Sequence, residues 1–186
     1  IHILIWLGIG AWFVVAAGFI SEKSGEVICN RVEVNLDDTV YNRFITESDI
    51  RNILDHSQAR LHGYPLDEIN IRELEQVIEQ NQYVRNAEIS TDVTGKLEIS
   101  VEQRIPLVRI IPEGTRGYYL DTEGKVIPLS DHFIPHILLV TGHIPEGARD
   151  AGSEDLGDLY AFCTYIAGND FWNNQIVQVY VNRKGE

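Results

Sequence analysis

Residues 3–20 read ILIWLGIGAWFVVAAGFI, and no charged side chain occurs before Glu22. As a helix these eighteen residues rise about 27 Å, nearly the hydrocarbon thickness of a bilayer. The run predicts a transmembrane anchor over residues 1–21, with Ile3, Trp6, Ile9, Trp12, Val15, Phe19 and Ile20 in the span. Trp6, Trp12 and Phe19 suit the membrane interface, and Glu22 and Lys23 mark where water resumes. The alternative is a cleaved secretory signal, for which Val15 and Ala17 loosely supply the small residues of a cleavage site. The run is longer than the roughly seven to fifteen residues of a signal core, which favours the anchor.

Beyond the anchor the chain turns acidic. Its 28 Asp and Glu outnumber 15 Lys and Arg, a formal charge of −13 over 186 residues. That balance repels nucleic acid and anionic lipid surfaces alike. The only cysteines, Cys29 and Cys163, lie far apart in sequence with no metal-type or redox-type spacing, and read as small core residues.

Residues 22–30 read as a juxtamembrane linker. Residues 32–36 then alternate apolar and polar, as a half-buried strand does. Thr46 with Asp49 forms a capping box, and Ile50, Ile53, Leu54 and Leu61 recur on one helical face until Gly63 and Pro65 stop it. Asn70 and Glu73 repeat the start signal ahead of Leu74, Val77 and Ile78. Ala87 and Ile89 alternate, Thr94-Gly95 turns the chain, and Leu97, Ile99 and Val101 alternate again, which predicts a hairpin. The order strand, helix, helix, strand, strand places two helices on one face of a small sheet.

Pro106 cannot donate to a ladder and marks a domain junction. Two short strands, over 118–120 and 126–127, flank Asp121-Thr122-Glu123-Gly124, whose carboxylates belong to a turn. Residues 137–143 form an apolar strand and 144–152 an exposed loop. Ser153 caps a helix with Leu156, Leu159, Tyr160, Cys163 and Ile166 on one face and Gly168-Asn169 as its stop. Residues 175–181 alternate as a strand, with Val177, Val179 and Val181 on one side and Ile176, Gln178 and Tyr180 on the other. The last residues, 182–186, read as a turn toward a further strand.

The chain carries no G-x-S-x-G, H-E-x-x-H or glycine-rich phosphate loop, and so offers no positive case for catalysis. His132 and His136 stand four apart, but Pro135 between them opposes a helical ligand pair; His56, His62 and His143 are isolated. Asp37-Asp38 lacks the spaced oxygens of a calcium loop. No metal or cofactor is expected.

A consecutive series is more specific than any one motif: Phe44-Ile45-Thr46, the run 81–89 (NQYVRNAEI), the run 95–101 (GKLEISV), Gln103-Arg104-Ile105-Pro106, and the run 117–130 (GYYLDTEGKVIPLS). In order and spacing it resembles the POTRA module and following β domain of the FtsQ/DivIB cell-division family, in the form found in Bacteroidetes-like bacteria. One departure is Gln103, where many relatives carry Glu. The resemblance implies an α+β protein: anchor 1–21, linker 22–30, POTRA module 31–104, and a mostly antiparallel β domain with one helix over 105–186, incomplete at its C-terminal side. It implies a non-enzymatic bitopic scaffold, single-pass in the bacterial inner membrane, with its bulk in the periplasm at the septum, linking early and late division proteins. FtsB-like and FtsL-like coiled-coil proteins and other divisome proteins are the implied partners, with no nucleic acid and no small-molecule substrate. In such relatives the extreme C-terminal strand resembles a docking edge for FtsB, beyond Glu186; within this chain Ile176, Gln178 and Tyr180 are the candidate contact strand. The alternative is a POTRA-containing outer-membrane assembly or secretion protein that binds extended client segments. It predicts repeated POTRA units or a following barrel, neither of which the sequence displays. An envelope enzyme is the third reading.

Overall fold

The computed structural model describes Trp12 and residues 27–37, 43–57, 61–144 and 156–183. Of the expected anchor only Trp12 falls within that set, as an exposed helical residue; Ile3, Trp6, Ile9, Val15, Phe19 and Ile20 lie outside the described residues. Among the described residues no helix is long and apolar enough to cross a membrane.

The first half is built as the hydrophobic periodicity dictates: β1 (Arg31–Asp37), α1 (Glu47–His56), a single 3-10 turn (Leu66–Glu68), α2 (Ile71–Glu79), β2 (Val84–Thr91) and β3 (Lys96–Gln103). Thr46 starts α1 by the reciprocal box expected of it: its side chain accepts from the Asp49 amide, and the Asp49 carboxylate accepts from the Thr46 amide at 2.8 Å. Asn70 caps α2 through the Glu73 amide. α1 ends before Leu61, which still reaches the core from the segment that follows. The sheet order is β1-β3-β2, with β1 parallel and β2 antiparallel to the central β3. Ile50 and Leu54 of α1 and Leu74 and Ile78 of α2 pack on Ala87, Ile89, Leu97, Ile99 and Val101 of the sheet.

Residues 27–30, read above as linker, are hydrogen-bonded into this domain. The Leu66 amide donates to Val27 at 2.9 Å, Cys29 exchanges bonds with Gly63 and Tyr64, and the Asn30 amide donates to Gly95 at 2.9 Å. The approach is close enough that a Cβ on Gly95, at φ +88°, would strike the Ile28 carbonyl and the Asn30 side chain.

The second half comprises β4 (Pro106–Pro112), β5 (Tyr118–Asp121), β6 (Val126–Ile127), β7 (Leu138–Gly142), α3 (Gly157–Ala167), α4 (Asp170–Gln175) and β8 (Gln178–Val181). Its five strands run β6-β5-β4-β7-β8. The mostly antiparallel sheet with one helix expected from the sequence is corrected on two counts. β4, β7 and β8 are mutually parallel, because a helical crossover between β7 and β8 returns the chain in its original direction. Among the described residues there are also two helices, since Gly168-Asn169 stops one and starts the next: the Asn169 side chain accepts from the Phe171 and Trp172 amides and caps α4. The helical turn consumes residues assigned above to the strand, so β8 begins at Gln178. Leu156, Cys163 and Ile166 cover Val108, Ile110, Leu120, Leu138 and Val140.

A third cluster joins the halves. Phe44 and Tyr83 come from the first domain; Tyr119, Ile127, Leu129, Phe133 and Ile137 come from the second. Phe44 stacks on Tyr83 at 5.4 Å and meets Tyr119 at 5.7 Å and Phe133 edge-on at 5.1 Å. The Tyr83 hydroxyl donates to the Leu129 carbonyl at 3.2 Å.

Candidate docking surface

Polar groups around the junction hold the two domains in register. Gln103 is 2% exposed, and its carbonyl Oε1 accepts from the amides of both Phe44 and Ile45 at 3.2 Å. A neutral acceptor thus serves where the family resemblance led one to look for a carboxylate, and it avoids burying a charge. Asp121, also 2% exposed, accepts from the Glu123 and Lys125 amides at 2.9 and 2.7 Å and from Arg104 at 2.8 Å. Its carboxylate shapes the β5–β6 turn, as the sequence indicated, and anchors the arginine that follows β3. Arg85 of β2 bridges Glu123 at 2.6 Å and Glu102 at 2.7 Å, and these partners hold its guanidinium above its ordinary range.

On this platform β8 is the outermost strand of the second sheet. Leu139 of β7 and His143, just past its end, donate to the Val177 and Val181 carbonyls at 3.1 and 2.9 Å, so the valine positions face β7 and the backbone groups of Gln178 and Tyr180 face away. Gly142 makes the pairing possible: with φ +111°, any Cβ there would collide with the Val181 carbonyl. Gln178 donates to the Thr141 hydroxyl at 2.9 Å, and Tyr180 is 62% exposed. Ile176, grouped with them on the sequence pattern, instead ends α4 as its C-cap residue and packs into the second core.

Exposed aromatics on the helices preceding β8 were not singled out by the sequence reading. Phe162 and Tyr165 stand on the outer side of α3; Phe171 and Trp172 of α4 meet edge-to-face at 5.0 Å. The signal was available, because a buried stripe of Leu156, Cys163 and Ile166 leaves position 165 opposite it and position 162 on its flank. An open strand edge such as that of β8 suits the addition of an extended partner strand: main-chain bonds supply affinity and side-chain contacts select the partner.

Among the described residues, no cluster comparable to that edge points to chemistry. Burial pushes the Cys163 thiol up to about 11 and raises that of Cys29, so both stay protonated and unreactive in the folded protein. They lie in different cores and are not joined. Among the described residues no group of three or more His, Cys, Asp or Glu could hold a metal. His56 is engaged with the Asn52 carbonyl at 2.6 Å. A groove of about 840 Å³ between α1 and α2 is lined by Ile53, His56, Leu74, Gln80 and Asn81, among others, without a nucleophile and base in contact.

Comparison with known families matches residues 27–102 to the POTRA-like domain and residues 105–186 to the domain described as FtsQ/DivIB, C-terminal related. No curated protein matches the chain significantly.

Proposed function

We propose that this chain, an FtsQ/DivIB-like protein by its two successive domains, is a non-enzymatic bitopic scaffold of the bacterial division machinery. The succession of a POTRA-like and an FtsQ/DivIB-related domain supports reading it as a cell-division protein engaged in divisome protein–protein interactions. In our reading the apolar run at residues 3–20 holds it in the inner membrane with the two domains in the periplasm at the septum. Its partners are FtsB-like and FtsL-like coiled-coil proteins, and the β8 side of the second sheet presents Gln178 and Tyr180 to them. The observation that carries the proposal is the joining of a POTRA-like unit to an FtsQ/DivIB-related sheet through one aromatic cluster. The outer-membrane assembly alternative is not favoured, because the second matched domain is FtsQ/DivIB-related.

The test is copurification. Tagged full-length protein is recovered from membranes and probed for coiled-coil division proteins, with photo-crosslinkers at Gln178 and Tyr180. Crosslinks to those proteins, and filamentation on depletion, are the expected results. Normal septation after depletion, or recovery of outer-membrane assembly components instead, refutes the scaffold reading.

A further inference from the structure

β2 is an edge strand of the first sheet, and an unpaired edge is a template for adding another strand. Its inward row is fixed by the hairpin: the Asp92 amide donates to Lys96, and alternation from that bond turns the amides of Ala87 and Ile89 outward. Those outward donors are already used. The Glu75 carboxylate accepts from the Ile89 amide at 2.9 Å, and that of Glu79 accepts from the Ala87 amide at 3.3 Å. The two glutamates stand four residues apart on α2, on one helical face, and the two amides stand two residues apart on the strand, so the spacings match. Leu74 and Ile78, packed in the core, fix the rotation of α2 that brings this face to the strand.

We propose that Glu75 and Glu79 latch the β2 edge, closing that edge of the first sheet to strand addition by an extended peptide. An incoming strand would have to displace two carboxylates from two amides before forming its own bonds, and each such bond is charge-assisted. Extended partners are thereby excluded from the β2 side of the POTRA-like unit. The inference holds whether or not the chain is a division scaffold, since it rests on the strand edge alone.

The experiment compares the full chain with Glu75→Ala/Glu79→Ala and Glu75→Gln/Glu79→Gln, because the glutamine carbonyl can still accept. Residue-resolved amide exchange is read at Ala87 and Ile89, with Ile99 in the central strand as the reference for an intact domain. The alanine pair is expected to speed exchange at both amides about tenfold or more, and the glutamine pair by less than about threefold. A synthetic peptide with the sequence of residues 84–91 is expected to bind the alanine pair at least about tenfold more tightly than the parent or the glutamine pair. Unchanged exchange in the alanine pair, glutamine matching alanine, or equal peptide binding by all three overturns the latch. Should Ile99 also lose protection, single Glu79→Ala is read in its place: Ala87 must accelerate while Ile89 does not, and any other pattern overturns the proposal.

Discussion

Replacing Phe44 by alanine tests whether the aromatic cluster truly couples the domains. The ring is 3% exposed and touches three other rings at 5.1–5.7 Å, one from its own domain and two from the other. Emptying a buried phenylalanine site costs about 3–5 kcal/mol. With stacked, tilted and edge-on ring partners around it, this site is expected near the middle of that range, about 4 kcal/mol. That is a large share of the roughly 5–15 kcal/mol available to a domain. The measurement is urea unfolding of the detergent-solubilised chain by circular dichroism, with Tyr165→Ala, on the exposed face of α3, as a control expected to cost far less, on the order of 0.5 kcal/mol. A double-mutant cycle with Phe133→Ala should give a coupling of about 1 kcal/mol across the junction. A cost below about 1.5 kcal/mol, or additivity of the pair within about 0.3 kcal/mol, would refute the coupling.

Three further outcomes follow from the geometry. Asp121→Ala leaves two turn amides without their acceptor and Arg104 with only the longer contact to Glu123 at 3.8 Å, and should cost about 3 kcal/mol in the same unfolding assay, whereas Asp121→Asn, which keeps the turn acceptor, should cost less. Gly142→Val should detach β8 from β7, seen as faster amide exchange at Leu139 and His143, and should abolish crosslinking from Tyr180. The Asp92 carboxylate, held below its ordinary range first by the Thr94 hydroxyl and then by the Lys96 amide, stabilises the hairpin above the usual aspartate range; that contribution is lost as pH falls through its depressed value. Asp92→Asn should therefore flatten the urea midpoint's fall as pH drops below the usual aspartate range, and an unchanged slope would contradict this.

Much of the first domain was legible because its signals are local. The Thr46–Asp49 box, the Asn70 cap and the alternation on either side of Gly95 each act within a few residues, and each formed as read. Where β1 pairs was not legible, since a parallel neighbour is chosen by packing of distant residues and leaves no turn behind. The second domain was harder for the same reason. Asn169 serves equally as the end of one helix and the cap of the next, and only the structure separates those roles. Ile176 alternates correctly with Gln178 and Tyr180, yet a period of two over so few residues also fits the exit from a helix. The roles of Gln103 and Asp121 depend on residues tens of positions away, so sequence spacing held Asp121's turn but neither its arginine nor the amides of Phe44 and Ile45.

The placement of the two cysteines gives this molecule a built-in pair of reporters. Cys29 sits in the first core and Cys163 in the second, and the chain has no other thiol. A thiol reagent can reach each one only when its own domain opens, so the labelling rates of the two sites time the opening of the two halves separately, without any engineered probe. Equal rates would describe a molecule that breathes as one body. Unequal rates would identify which half gives way first under a load applied at the other.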